Sequence, residues 1–258
     1  MAGLLAVNKE AIIMTLRFSS ILLMDATYKT NQLGIPLFAI VGIDCFLKSF
    51  TAAFAFIMKE DIESYVWALS EFNSITQIDP IAIMRDRDAS LANAICTVYP
   101  NAKHLLCYWH LERNIKGHRS SENYARFSNF LFDLRNVASC NDELGTIQLL
   151  NQFWIKYEQD EAFRNVLEYL RSSIMPECEK FFHCYLTDVL HLGTFTNNRA
   201  EGNHSVLKRY KSMAQQDLLG ATKKIDVHVR SQLQDFNILV DRDQFFNDRV
   251  LSTTDLFS

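Results

Sequence analysis

Glycine and proline are scarce in this chain: 258 residues contain eight glycines and four prolines. So few backbone breakers exclude a loop-dominated architecture and favour a compact fold of long helices and extended strands. The apolar fraction, 48%, is that of an ordinary globular protein and excludes disorder. Six cysteines are present (Cys45, Cys96, Cys107, Cys140, Cys178 and Cys184), but none form a C-x-x-C pair. A chain this long can bury a full core without disulfide staples, so reduced thiols of the cytosol or nucleus are expected. No apolar run reaches the ~18 residues needed to span a bilayer. The start, Met1 to Met14, is apolar but broken by Lys9 and Glu10. It lacks the basic region and small-residue cleavage site of a signal peptide.

Net positive charge is lacking too. At −4 the chain does not read as a dedicated DNA-binding module, because phosphate affinity comes from clustered Lys and Arg. The charge is uneven, however. From Asn197 to Arg230 there are seven basic residues (Arg199, Lys208, Arg209, Lys211, Lys223, Lys224, Arg230) against three acidic ones (Glu201, Asp217, Asp226). From Arg119 to Thr194 seven basic residues meet eleven acidic ones. A basic C-terminal segment of this kind suits a phosphate backbone. On charge alone it suits a solvated helix face equally well.

The first hundred residues read as strands and short helices. Apolar runs predict strands at 21–27, 36–43 and 49–57, joined by turns at Asn31–Gly34 and near Asp44. Asp61 is an expected helix N-cap, with Ile62, Tyr65, Val66 and Leu69 at helical spacing behind it. A strand at 81–84, a helix from about Asp88 to Val98 and a strand at 103–108 follow. Three strands, helix, strand, helix, strand is the order of a ribonuclease H-like sheet. Beyond it, Phe127, Phe130, Leu131 and Leu134, then Leu150, Phe153, Trp154 and Tyr157, then Phe163, Val166, Leu167 and Leu170, repeat with amphipathic helical spacing. The expected architecture is α/β. It is a mixed five-stranded sheet flanked by helices (about 16–118), an all-helical insertion (about 119–193) and a last helix at about 197–213, all in one domain.

Two of the predicted strands end in acids. Ile21-Leu22-Leu23-Met24 leads to Asp25, and Ile81-Ala82-Ile83-Met84-Arg85 leads to Asp86. A third acid, Glu201, stands in Thr196-Asn197-Asn198-Arg199-Ala200-Glu201-Gly202. Phosphodiester cleavage and transfer need the attacking and leaving oxygens stabilised together, which two Mg²⁺ or Mn²⁺ ions about 4 Å apart accomplish. Such ions take hard oxygen ligands and keep several waters, so three carboxylates suffice. Asp25 would bridge the ions, Asp86 would hold one and Glu201 the other. Each acid also has a plainer reading. Asp25 also reads as a turn residue and Glu201 as the far half of a capping box with Asn198; Asp86 or Asp88 reads as a helix cap, Asp88 being the better placed and leaving Asp86 free at the strand end. His204, three residues after Glu201, shares its helix face and is a candidate neighbour of the site. Cys107 and His110 have the spacing of half a zinc site, with Cys178, His183, Cys184 and His191 as further candidates. Zinc wants four ligands, and no second pair stands at a regular spacing.

These blocks resemble the catalytic domain of Mutator-like element (MULE) transposases. The resemblance rests on Leu22-Leu23-Met24-Asp25-Ala26-Thr27-Tyr28-Lys29-Thr30-Asn31 and on Asp86-Arg87-Asp88 with Ala94-Ile95 and Tyr99-Pro100-Asn101-Ala102. It continues through Cys107-Tyr108-Trp109-His110-Leu111-Glu112-Arg113-Asn114-Ile115 and closes at Thr196 to His204. It implies a ribonuclease H-like fold with a DDE triad on Asp25, Asp86 and Glu201. It also implies the family's Cys-x-x-His motif on Cys107 and His110. The implied activity is metal-dependent cutting of transposon ends and joining to target DNA, in the nucleus, by a homo-oligomer acting on double-stranded DNA. Arg199, Lys208, Arg209 and Lys211 are the expected DNA contacts. Arg85 departs from the family pattern, which more often has a small hydroxyl residue there. A cation at that position would pair with the neighbouring acid or lie on the other face. Similar proteins usually carry a zinc-binding recognition domain upstream and a SWIM-type zinc finger downstream, so this sequence is expected to be the catalytic core alone. A related expectation is a domesticated relative, a FAR-RED-impaired-type transcription regulator that binds DNA or partners without chemistry, or an inactive remnant.

Overall fold

A computed structural model describes residues 3–27, 30–119, 124–189 and 216–254, with side chains as far as 244. The fold is mixed α/β. Its strands are β1 (Gly3–Ala6), β2 (Ile21–Thr27), β3 (Leu37–Ile43), β4 (Ser49–Ile57), β5 (Ala82–Arg85) and β6 (Lys103–Leu106), in the sheet order β1-β4-β3-β2-β5-β6. Packing divides the chain into two compact units: Met1–Ser19, Asp25–Ile78 and Val206–Ser258 in one, Ser20–Met24 and Asp79–Ser205 in the other.

In the first unit β3 and β4 form an antiparallel hairpin, and every residue of β3 is buried. Helices α1 (Lys9–Arg17), α2 (Ile62–Thr76) and α8 (Leu218–Thr254) pack against β4. The hairpin turn is closed by Asp44, whose Oδ1 accepts the amides of Phe46 and Lys48 at 2.9 and 2.8 Å. The ladder slips between Ile40 and Val41, where β4 carries one extra residue. Gln232 of α8 repairs it: the Thr51 amide donates to its Oε1 at 3.0 Å, and its Nε2 donates to the Ser49 carbonyl at 3.2 Å. Asp61 caps α2 as expected, accepting the Ser64 amide at 2.9 Å.

The sheet has six strands where the sequence suggests five. The added strand is β1, which pairs antiparallel with β4, Gly3 opposite Ile57. Four residues carry no period of their own, so only the hydrogen bonds to β4 make them a strand. Gly3 is required there. A Cβ on it would lie 2.3 Å from the Phe56 carbonyl oxygen and 2.7 Å from the Trp67 ring. Gly3→Val is expected to cost about 1–3 kcal/mol and to detach β1. Faster hydrogen exchange at the β4 amides facing β1, with the β3–β4 ladder still protected, is the result to look for.

In the second unit β5 pairs in parallel with the start of β2 and with β6. Parallel neighbours need a crossover, and α3 (Ala89–Val98) supplies it between β5 and β6. Next come α4 (Tyr108–Gly117), α5 (Tyr124–Ala138), α6 (Glu143–Glu158) and α7 (Arg164–Tyr169), then short 3₁₀ and π turns to Tyr185. The stretches with amphipathic spacing are therefore helical. Their inward residues make one aromatic core around Phe130, which stacks on Phe127 and Phe163 and meets Phe153 and Tyr157 at 4.9–5.0 Å. Among the described residues no helix is long and apolar enough to cross a membrane.

Candidate functional site

Asp25 lies inside β2, which runs on to Thr27, and Asp86 lies just past the end of β5. Met24 of β2 is opposite Arg85 of β5, and Asp25 and Asp86 are the next residues along each chain. Asp25 is half-buried within β2, behind the buried Leu22 and Met24. Asp86 is half-buried just past β5. Its Oδ1 accepts the Asp88 amide at 3.1 Å. Burial pushes its carboxyl above the ordinary carboxylate range, against the lowering effect of that hydrogen bond and of Arg85.

Asp88 has a different task. Its Oδ1 accepts the Leu91 amide at 2.6 Å, so it is the N-cap of α3. The two acids of Asp86-Arg87-Asp88 are thus distinguished by backbone geometry: one closes a helix and the other sits at the end of a strand.

Among the described residues, Arg85 forms no ion pair across the strand end. Only 4% exposed, it donates from Nε to His104 Nδ1 at 3.3 Å and from Nη1 to the Asp86 carbonyl oxygen at 2.7 Å. The cation is satisfied by an imidazole and a main-chain carbonyl, and it braces the backbone of the acid rather than its carboxylate.

Arg87 ties the same loop to the helical segment. Its Nε donates to Glu177 Oε1 at 2.9 Å and its Nη1 to the Tyr169 hydroxyl at 3.3 Å. Lys180 binds the other Glu177 oxygen at 2.9 Å. Burial opposes ionisation of Glu177, but its bonds to Lys180 and Arg87 prevail and hold the carboxyl below its usual range. Tyr169 is stacked on His118 at 3.7 Å. This brace escaped the sequence reading because Arg87 and Glu177 are 90 residues apart and neither belongs to a recognisable pattern. An arginine set between two acids in a loop, with one of those acids used as a helix cap, is the signal that points toward a distant partner.

Cys107 begins α4. Its amide donates to the Arg85 carbonyl at 2.9 Å, and the residue is buried with Ile21, Ala82, Met84 and Leu105. His110 meets the Trp109 ring edge-on at 4.8 Å. Among the described residues, no three of His, Cys, Asp and Glu gather to hold a metal ion. Cys178, His183 and Cys184 are described, and they do not make such a group. Glu201, His204, His191, Arg199, Lys208, Arg209 and Lys211 lie outside the described residues. A carboxylate such as that of Asp86 is a hard oxygen donor of the kind Mg²⁺ and Mn²⁺ prefer, and a cation would relieve its desolvation.

Comparison with known proteins adds to this geometry. Residues 21–114, the stretch that holds both acids, match the MULE transposase domain. The chain is 22% identical over 204 residues to Protein FAR1-RELATED SEQUENCE 5 of Arabidopsis thaliana, covering 79% of this chain and 25% of that protein. It is 23% identical over 201 residues to Protein FAR-RED IMPAIRED RESPONSE 1 of the same plant, covering 76% and 23%. Protein FAR1-RELATED SEQUENCE 6 is 29% identical over 98 residues, 38% of this chain and 14% of the relative. The chain thus spans about a quarter of the length of the first two relatives. Over residues 21–114, therefore, the chain is similar to the MULE transposase domain, and over a longer stretch to FAR1-type proteins.

Proposed function

We propose that this chain is the transposase-derived core of a FAR-RED-impaired-type regulator. It would keep a ribonuclease H-like scaffold and associate with double-stranded DNA in the nucleus without cutting it. The observation that carries this reading is the reach of the similarity. Two FAR1-type relatives align over 204 and 201 residues, about three-quarters of the chain, which is more than the segment that matches the transposase domain. The basic stretch from Arg199 to Arg230 supplies the charge for phosphate contact. The strand-end acids would then serve the fold and its surface rather than a reaction.

A second reading, a catalytic transposase core, is favoured by one observation: Asp25 and Asp86 directly follow the paired residues Met24 and Arg85. In that reading Asp25, Asp86 and Glu201 would hold two Mg²⁺ or Mn²⁺ ions, which when bound activate the attacking oxygen and stabilise the leaving one. Arg85 and Arg87 would hold the Asp86 backbone in place, and a homo-oligomer would bring DNA ends and target together.

One experiment separates the two. Labelled double-stranded DNA is incubated with the wild-type chain, Asp25→Ala and Asp86→Ala in Mn²⁺, and both retention and strand cleavage are followed. The regulator reading expects salt-sensitive retention in all three proteins and no cleavage. Cleavage by wild type that both substitutions abolish would replace it with the catalytic reading. Absence of any retention would overturn the DNA-associating role itself.

A further inference from the structure

A small cavity lies within the first unit, between β4, the start of α1 and the first turns of α8. Its volume is about 130 Å³. Four alanines line it: Ala6 at the end of β1, Ala11 on α1, and Ala52 and Ala53 on β4. Cores fill to crystal-like density, so small side chains that meet at one point leave space unless the backbones close in. Here two polar ties set the spacing of the helices and β4. Asn8, the N-cap of α1, donates from Nδ2 to Oδ1 of Asp226 on α8 at 2.9 Å. Gln232 ties α8 to β4 through Ser49 and Thr51. The slip in the ladder falls at the same place. Ala53 lies opposite Ile40 and Thr51 opposite Val41, so Ala52 is the extra residue.

The wall decides what fits. Phe54 and Val229 add apolar surface to that of the alanines. The polar side chains are already engaged within the protein. Asn8 Oδ1 accepts the Glu10 amide at 2.9 Å, and Asp226 Oδ2 accepts from Arg230 Nε at 2.8 Å. The Thr222 hydroxyl donates to the Leu218 carbonyl at 2.7 Å. A water held in a cavity makes about two to four hydrogen bonds, and this wall has few to give. Bonds from Arg230 and Asn8 also hold the Asp226 carboxyl below its ordinary range, which keeps a carboxylate beside the space. Among the described residues, none that lines the space is a cation.

We propose that this cavity is a binding site for a small, neutral, apolar molecule the size of a single aromatic ring. A dry apolar cavity of about 150 Å³ is large enough to take up benzene, and the space here is of that order. The driving force is removal of the ligand's apolar surface from water, with no hydrogen bond required of the wall. The site belongs to the first unit alone, and it stands whether or not the chain cuts DNA.

The test titrates the folded, ¹⁵N-labelled chain with benzene and, separately, with benzoate, and follows the backbone amide shifts. Benzene is expected to give a saturable shift at Ala11, Ala53 and Thr222, with half-saturation at roughly 1 mM. Benzoate has the same ring but carries a charge, and it is expected to need at least about tenfold more. Ala11→Leu is expected to lose the benzene response and to unfold at the wild-type temperature or above it, because the added carbons enter space that already exists. No saturable benzene shift up to the solubility limit would overturn the proposal without recourse to any variant, and so would equal binding of benzoate. A benzene response that Ala11→Leu leaves unchanged would also overturn it. A loss of stability in Ala11→Leu would do the same, since it would show the space to be filled.

Discussion

Phe130→Ala is expected to lower the unfolding free energy by about 3–5 kcal/mol, the usual cost of emptying a buried aromatic site. Phe130 is fully buried, and four rings close on it: Phe127, Phe153, Tyr157 and Phe163. Two of those contacts are stacked and two are angled, so the surrounding rings lock one another and the site has little freedom to collapse. Urea titration followed by tryptophan fluorescence measures the effect, because Trp154 packs against this core. Phe130→Leu fills most of the space and should cost clearly less. Ile155, 72% exposed on α6, provides the contrast: Ile155→Ala should stay within about 0.5 kcal/mol. A loss below 1 kcal/mol for Phe130→Ala would mean that this aromatic cluster is not the centre of the unit's stability.

The same residues show what the sequence makes legible. Phe127, Phe130, Leu131 and Leu134 announce α5 because a helix buries every third or fourth side chain, and that period survives without tertiary context. Ser49–Ile57 is legible for a related reason: an unbroken apolar run of that length between turn residues suits a strand covered on both faces. Asp61 and Asp88 are legible as caps because the cap bond is local, spanning three residues. What stays hidden is non-local. β1 is a strand only because β4 offers it hydrogen bonds, and its apolar residues look like part of an ordinary apolar start. Helix α8 carries Ala221, Ile225, Val229, Leu233 and Phe236 at helical spacing, all buried.

For the site, the division of labour within Asp86-Arg87-Asp88 follows from position, since only Asp88 is placed to reach the first free amides of α3. The orientation of Arg85 also follows from strand alternation once Asp86 is fixed, but its partner does not. His104 arrives from the next parallel strand, one crossover later. The Arg87–Glu177 brace is harder still, because its two halves belong to segments whose patterns describe only their own helices.

Glu112 is the second residue whose loss should be large. Its side chain is 11% exposed and accepts from Lys116 at 2.6 Å and from Arg135 at 2.5 Å. Burial alone would raise its carboxyl, but the hydrogen bonds from Lys116 and Arg135 outweigh burial and hold it below the ordinary glutamate range. Glu112→Ala should cost about 1.5–3 kcal/mol. That lies below the figure for a fully buried ion pair because the two cations, 54% and 35% exposed, recover part of their hydration. Glu112→Gln keeps the shape and one acceptor and should cost roughly half as much. The pH dependence has a definite sign. A carboxyl whose folded value is depressed contributes stability above its unfolded value, and the contribution disappears as pH falls through the folded one. The gap between wild type and Glu112→Gln should therefore be widest near neutrality and should close as the solution is acidified below the ordinary glutamate value. Denaturant unfolding of both proteins at pH 7 and along an acid series measures this. A gap that stays constant with pH would show that packing of the side chain, rather than its charge, is what α4 and α5 depend on.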